Sequence, residues 1–226
     1  MIIHQVEQGS EAWLKLRSGI PTASEFDKIL TKSGKKSASA EGYMHTLLAE
    51  RMMQHPSFNF MSDWMARGKE MEERAVSYYE LQKDIDTVPV GFITDNHRWV
   101  GASPDPLVGD TGLLEIKCPK DSTHVGYLLG GSSVLDAYRV QAMGQLWISG
   151  RDWTDVLSFH PEMPEALIRT ERDEAFINLL EEAVLEFSAK LEAKALELAE
   201  KGWMPKTDVK VFSKETDQAY AEWSAK

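Results

Sequence analysis

The sequence is poor in cysteine, with Cys118 as the single thiol among 226 residues. One cysteine cannot form an internal disulfide, and it rules out a zinc site built on a pair of cysteines. The six histidines are scattered, and no two of them are four residues apart, as they would be on one face of a zinc-binding helix. We therefore expect neither a disulfide framework nor a zinc centre.

Long apolar runs are also missing. The first residues, MIIHQVEQGSEAW, are too polar for a signal peptide, and no apolar stretch approaches membrane-spanning length. With 42% hydrophobic residues and seven tryptophans, the chain still has enough apolar material for a packed core. We expect a soluble cytoplasmic protein with no membrane partner, folded as one domain over residues 1–202 with a C-terminal tail over residues 203–226.

Positive charge is scarce, because 25 Lys and Arg face 36 Asp and Glu and the formal net charge is −11. Duplex DNA repels an acidic surface, so this balance argues against general affinity for DNA. It does not exclude an enzyme that grips DNA locally, since a metal-dependent nuclease needs a carboxylate cluster whose charge bound cations offset. The charge is also uneven: the chain after Pro161 is rich in Glu, whereas residues 28–36 carry four lysines.

Hydrophobic periodicity divides the chain into helices that flank a central group of strands. The spacing predicts helices over residues 22–30, 41–54, 66–82, 136–149 and 174–201. It predicts strands over residues 87–94, 97–103, 112–118, 153–159 and 166–171. Thr22 and Glu25 have the spacing of a capping box at the start of the first helix. The fold class that follows is α/β (or α+β), with a central mixed β-sheet flanked by helices.

One constellation of residues suggests chemistry. Asp105 follows Ser103 and Pro104, and the next predicted strand carries Glu115, Ile116 and Lys117. Side chains alternate along a strand, so Glu115 and Lys117 project to the same face. The turn between the two strands can fold Asp105 back beside Glu115. Two carboxylates and the Ile116 carbonyl form an all-oxygen site that suits Mg²⁺ or Mn²⁺, and Lys117 can orient an attacking water.

Each half of this constellation also has an ordinary explanation. A Glu-x-Lys pair on a strand is often a solvated ion pair, and Pro-Asp is a common turn dipeptide. Together, at this spacing and between two strands, they resemble the PD-(D/E)xK nuclease signature. Three stretches strengthen this likeness: residues 13–24 (WLKLRSGIPTAS), 67–72 (RGKEME) and 114–119 (LEIKCP). Taken together, and in their order along the chain, these stretches resemble one family, the lambda-type phage exonucleases. The same family is called the alkaline exonuclease or YqaJ-like viral recombinase family.

This resemblance covers about residues 6 to 190 and implies much more than the residues do alone. It implies a restriction-endonuclease-like core and a homotrimeric ring around linear double-stranded DNA, in the cytoplasm of a bacterial host. It implies Mg²⁺-dependent 5′→3′ digestion of one strand, with two ions bound and Mn²⁺ able to substitute. The 3′ single strand that remains would serve recombination through a single-strand annealing protein.

The same resemblance assigns roles to individual residues. Asp105, Glu115 and the Ile116 carbonyl would hold the metals, Glu72 would be a further carboxylate near the second metal, and Lys117 would serve the attacking water. Gln141 matches an active-site glutamine of the family. Three residues match positions that bind the 5′ phosphate of the DNA: Arg17, Ser24 and Ser103. Without the resemblance, Glu72 would pass for a solvated helix residue and Arg17 for a surface charge.

The chain departs from the family pattern at Pro106, where a glycine is usual after the aspartate, and the tail after Gly202 has no match. Two other functions stay open. A related enzyme with the same core could cut DNA internally, as an endonuclease or resolvase does. The chain could also be a non-catalytic subunit that binds DNA ends, although the complete set of Asp105, Glu115 and Lys117 argues against it.

Overall fold

The computed structural model describes residues 1–55, 63–130 and 133–205, without the side chains of residues 63–70 and 133. In these ranges six α-helices and a short 3₁₀ helix accompany eight strands. The α-helices are α1 Glu11–Arg17, α2 Ala40–Met53, α3 Asp63–Lys83, α4 Asp121–Gly130, α5 Ser133–Ser149 and α6 Glu174–Glu200. The strands are β1 Ile2–His4, β2 Thr87–Pro89, β3 Phe92–Thr94, β4 Gly101–Ala102, β5 Pro106–Val108, β6 Gly112–Lys117, β7 Trp153–Ser158 and β8 Ala166–Glu171.

The larger of the two sheets has five strands in the order β2-β5-β6-β7-β8. The pair β6–β7 is parallel, with Glu115 opposite Val156, and the other pairs are antiparallel. A parallel pair needs a crossover connection, which α4 and α5 supply. The smaller sheet joins β1, β3 and β4. A mixed sheet flanked by helices is the fold class expected from the sequence, and it is confirmed.

Several boundaries differ from the sequence-based prediction. The predicted strand 87–94 is two strands, β2 and β3, that belong to different sheets. The predicted strand 97–103 shrinks to Gly101–Ala102, because the Asp95 carboxylate accepts the N–H groups of Trp99 (2.6 Å) and Val100 (3.1 Å) and closes a turn. The predicted helix 22–30 is the 3₁₀ helix Ala23–Lys28.

The proposed capping box is also wrong. The Thr22 side chain makes no capping hydrogen bond to the following turn. Its hydroxyl lies 3.3 Å from the Ser24 hydroxyl instead. Four elements that the sequence reading did not predict are present as well: β1, α1, β5 and α4.

Strand β6 is buried on both faces, and the two faces meet different helices. Leu114 and Ile116 pack in a cluster with Ala75 and Tyr79 of α3. Leu113 points the other way, into the main core built with α5 and α6. By alternation Glu115 and Lys117 share that second face, so the sheet presents them to α5.

No helix in the described ranges is long and apolar enough to cross a membrane. Most of the predicted C-terminal tail, residues 206–226, lies outside the described residues. The side chains of residues 67–70, which carry part of the family resemblance, lie outside them as well.

Candidate active site

Two carboxylates meet beside β6. Asp105 stands just before β5, and its Oδ2 accepts the backbone N–H of Ile116 at 2.6 Å. This bond ties the turn to the neighbouring strand and brings the Asp105 carboxyl beside that of Glu115. Glu115 is only 2% exposed. The structure therefore brings together the two acids that the spacing of the sequence singled out.

Three donors hold the Glu115 carboxylate. Its Oε1 accepts Gln141 Nε2 at 2.6 Å and contacts Lys117 Nζ at 2.5 Å. Its Oε2 accepts Gln145 Nε2 at 2.5 Å. Both glutamines come from α5, one helical turn apart, so the same helix face reaches the carboxylate twice. A buried carboxylate needs such donors, because burial removes the water that would otherwise solvate its charge.

The electrostatics of the cluster favour a cation. Removal from water, together with the neighbouring Glu115 carboxylate, holds the pKa of Asp105 well above its ordinary value, although the Ile116 N–H and Lys117 oppose the rise. Glu72 of α3 is near enough for its charge to raise the Asp105 pKa further. Burial lowers the pKa of Lys117, but the adjacent Glu115 and Asp105 outweigh it, so the net direction is upward and Lys117 stays charged. The single ammonium of Lys117 thus lies beside two carboxyl groups, those of Glu115 and Asp105.

The donor set fits a hard divalent cation. Asp105 and Glu115 offer carboxylate oxygens, and a cation bound between them would relieve the repulsion that raises the Asp105 pKa. Within the described residues, no three His, Cys, Asp or Glu side chains gather as a metal-ligand group. Glu72 therefore does not complete a three-carboxylate set in this conformation, and its role as a ligand stays a prediction.

Lys117 is held between its acid and an aromatic ring. Its Nζ lies 4.6 Å from the centroid of the Tyr138 ring, a cation–π distance. Burial, with a hydrogen bond to Tyr138, raises the pKa of Tyr127 to about 12. The two tyrosines, from α4 and α5, thus form an aromatic wall beside the lysine, which restricts the positions its ammonium can take.

The three residues expected to bind a 5′ phosphate also lie close together. Arg17 Nη2 donates to Ser24 Oγ at 3.3 Å. The Arg17 guanidinium lies 4.2 Å from the centroid of the Trp13 ring, and Trp13 Nε1 donates to Ser103 Oγ at 2.8 Å. Trp13 therefore links the arginine to the second serine, and the four residues form one polar patch. Ser103 is two residues from Asp105, so this patch adjoins the carboxylates.

Sequence reasoning missed three of these side chains. Gln145 lies four residues after Gln141, and this i,i+4 spacing places both side chains on one helix face. Trp13 begins the stretch 13–24 and precedes Arg17 by one helical turn, which is the signal that could have identified it. Tyr138 had no signal of its own, because only the fold brings α5 against the end of β6.

The chain is similar to known proteins both in sequence and in fold. The model of the YqaJ-like viral recombinase domain matches residues 12–152. The crystal structure of an alkaline exonuclease from Laribacter hongkongensis is 35% identical, covers 85% of this chain and 98% of its own, and superposes with a TM-score of 0.77. The structure of the same exonuclease in complex with dAMP gives the same values.

A phage-related exonuclease from Haemophilus somnus 129PT extends the likeness at the level of the fold alone. It is 15% identical, covers 80% of this chain and 96% of its own, and has a TM-score of 0.61. No curated protein sequence matches the chain.

Proposed function

The chain belongs to the family of YqaJ-like viral recombinase domains and is a nuclease by its likeness to the alkaline exonuclease, and from this premise we propose that it is an exodeoxyribonuclease that depends on Mg²⁺. It digests one strand of linear double-stranded DNA in the 5′→3′ direction. The 3′ single strand that it leaves enters phage-type recombination by strand annealing. The cluster of Asp105, Glu115 and Lys117 beside β6 is the observation that carries this proposal.

In this proposal Asp105, Glu115 and the Ile116 carbonyl would hold Mg²⁺, or Mn²⁺ in its place, and Glu72 would be a further carboxylate near a second ion. Bound there, the ions would supply polarisation of the scissile phosphate and a more acidic water. Lys117 keeps its proton, as its neighbouring acids require, and its ammonium orients the attacking oxygen and offsets developing charge. Gln141 keeps the Glu115 carboxylate turned toward the reacting group.

The patch around Arg17 binds the 5′ terminal phosphate. A guanidinium offers a planar fork to phosphate oxygens, and the Ser24 and Ser103 hydroxyls add neutral donors. Removal from water lowers the pKa of Arg17, although the nearby acids oppose this, and a phosphate dianion would restore favourable contacts for the charge. Binding there selects an end, because an internal phosphate carries one negative charge fewer and is flanked by chain on both sides.

The finer features follow the family resemblance. The proposed enzyme is a homotrimeric ring around DNA, works with a single-strand annealing protein in the cytoplasm of a bacterial host, and has one nuclease domain over residues 1–202. The acidic net charge suits a ring that grips DNA locally at its sites and lacks a general DNA-binding surface.

One incubation tests the proposal. The protein with Mg²⁺ is given three labelled DNAs: a linear duplex with 5′ phosphates, the same duplex with 5′ hydroxyls, and a covalently closed circle. We expect the 5′-phosphorylated strand to be degraded first and the circle to survive. Cutting of the circle would make the protein an endonuclease. No degradation with either Mg²⁺ or Mn²⁺ would make it an end-binding subunit.

A further inference from the structure

Gln145 is buried in a place where an apolar side chain would fit more simply. It is 1% exposed on α5, and its Nε2 donates to Glu115 Oε2 at 2.5 Å. Its own Oε1 is buried and has no hydrogen-bond partner among the described residues. A buried oxygen without a partner destabilises a fold. A methionine would fill the same space without that penalty, so the bond made by the N–H explains the glutamine better than packing does.

The two oxygens of Glu115 are held differently. Oε1 meets both Lys117 and Gln141, which are assigned to the reaction, whereas Oε2 meets Gln145 from the buried side. The last torsion of a glutamate side chain is broad and only weakly restricted by itself. Hydrogen bonds on both oxygens therefore decide how the carboxylate plane is turned.

Lys117 cannot supply this restraint once a cation is bound. The ammonium and a divalent cation are both positive, so they compete for the same carboxylate oxygen. When the contact of Lys117 with Oε1 loosens, the neutral amides of Gln141 and Gln145 can stay in place. The orientation of the Gln145 amide is fixed as well. A flipped amide would place its oxygen against Glu115 Oε2, where the two negative partial charges would repel each other.

We propose that Gln145 is a positioning residue that fixes the Glu115 carboxylate from behind for cation binding. It acts through Glu115 and does not touch the substrate. This inference rests on the proposed metal site beside β6. It predicts that loss of the amide weakens cation binding while the binding of DNA ends, which depends on the Arg17 patch, is unchanged.

The test measures cation binding directly, without DNA or turnover. Mn²⁺ is titrated into the full chain, and the loss of the free-ion signal is followed by electron paramagnetic resonance. Gln145→Met, which keeps the volume and removes the donor, should bind Mn²⁺ about 10- to 100-fold more weakly than the wild type. The side chain of Gln145→Asn is one methylene shorter, so its amide does not reach Glu115, and this variant should also bind Mn²⁺ more weakly. It keeps the test available if the Met variant does not fold.

Thr154→Val is the matched control. Thr154 is also fully buried with a hydroxyl that has no described partner, but it lies on β7 opposite Leu113 and is not among the donors to Glu115. It should bind Mn²⁺ like the wild type, and all variants should bind a 5′-phosphorylated duplex equally well without metal.

The outcomes separate this inference from the proposed function. If Gln145→Met and Gln145→Asn bind Mn²⁺ within about twofold of the wild type, a difference smaller than such positioning residues cause, Gln145 has no positioning role. If the wild type itself does not bind Mn²⁺, or Glu115→Gln binds it equally well, the proposed metal site is wrong and the role of Gln145 is lost with it.

Discussion

Two carboxylates in neighbouring strands of this sheet, Glu115 of β6 and Asp155 of β7, have similar burial and opposite surroundings. Each is 2% exposed. Leu114 is opposite Asp155 in the parallel ladder, and Glu115 is opposite Val156, so the two acids lie on opposite faces of the sheet. Glu115 meets α5 on one face, and Asp155 meets Tyr79 of α3 on the other.

In the Asp155 cluster, Arg169 and Tyr79 donate hydrogen bonds to both oxygens of the carboxylate. Arg169 donates from Nε to Oδ1 at 2.8 Å and from Nη2 to Oδ2 at 2.9 Å, and the Tyr79 hydroxyl donates to Oδ2 at 2.7 Å. The positive charge of the Arg169 guanidinium balances the negative charge of the Asp155 carboxylate. The Arg169 guanidinium is supported in turn by the Trp153 ring, 3.5 Å away. Such a cluster ties α3 and β8 to β7 and offers nothing to a ligand.

The Glu115 cluster is not balanced. Glu115 and Asp105 share the charge of Lys117, and the remaining donors on Glu115 are neutral amides. Burial, and after it the adjacent Glu115 carboxylate, raises the pKa of Asp105 well above its ordinary value. In the proposed enzyme, burial alone therefore does not distinguish the structural acid Asp155 from the metal ligand Glu115, whereas the balance of charge around each acid does.

The largest effect should come from removing the basic side chain of each cluster, Lys117 beside Glu115 and Arg169 beside Asp155. Lys117→Ala should reduce DNA digestion by roughly 1,000-fold, because the ammonium that orients the attacking oxygen is lost. Binding of 5′-phosphorylated ends and the melting temperature should remain near those of the wild type. Arg169→Ala is the matched variant and should show the reverse, a lower melting temperature with nearly unchanged digestion. Digestion at the wild-type rate by Lys117→Ala would remove the lysine from the mechanism.

The next effect concerns stability. Asp155→Asn should lower the free energy of unfolding by about 2–3 kcal/mol, since the charge-assisted bonds to Arg169 weaken and the buried Tyr79 hydroxyl loses its best acceptor. Urea denaturation followed by circular dichroism measures the change. Digestion per folded molecule should be unaffected. A variant as stable as the wild type would mean that the Asp155 cluster is not the structural counterpart of the active one.

The third prediction compares Arg17 and Arg169, the two arginines whose guanidinium groups stack on tryptophan rings. Arg169 donates directly to the Asp155 carboxylate, whereas Arg17 donates to the Ser24 hydroxyl and lies near the charges of Glu25 and Glu50. In the proposed enzyme the Arg17 guanidinium binds an external phosphate. Arg17→Ala should reduce the preference for 5′-phosphorylated over 5′-hydroxyl ends by roughly 10- to 100-fold, the value of a hydrogen bond to a charged group. Initial digestion rates on the two duplexes give the ratio. An unchanged ratio would exclude Arg17 from the phosphate patch.

The smallest effect on stability is expected at Asp105. Asp105→Asn removes one of two adjacent acids while an oxygen remains to accept the Ile116 N–H. Without metal the free energy of unfolding should stay within about 1 kcal/mol of the wild type or increase. Digestion should be lost. A destabilisation as large as that of Asp155→Asn would show that the two clusters do not differ in charge balance.

The sequence predicted that Asp105, Glu115 and Lys117 lie together, but it did not predict the strand boundaries around them. Alternation along one strand is enough to put Glu115 and Lys117 on the same face, and the short turn places Asp105 beside them. The boundaries of β2 to β4 depend on contacts that are distant in sequence. At Gly91 an added Cβ would lie 2.1 Å from the Val6 carbonyl oxygen, so the chain crosses from one sheet to the other at a residue without a side chain.

The donors around Glu115 illustrate the same limit. Gln141 was predicted from the family resemblance alone, and Gln145 had no assigned role. The spacing of the two glutamines fixes a shared helix face, but not the strand that this face meets. That information resides in the packing of α5 on the sheet, to which residues from several elements contribute.

That packing includes a close approach at Gly144, beside Gln145. A Cβ at this position would lie 2.6 Å from the Phe26 ring and 3.2 Å from Ala23, in the 3₁₀ helix that also carries Ser24. The missing side chain lets α5 and the 3₁₀ helix touch. In the proposed enzyme α5 holds the Glu115 carboxylate through Gln141 and Gln145, and the 3₁₀ helix carries Ser24 of the end-binding patch. A larger residue at position 144 would push these two elements apart. In the proposed enzyme it would therefore lengthen the distance between the bound 5′ phosphate and the metal ligands, and would change the size of the fragment released at each turnover.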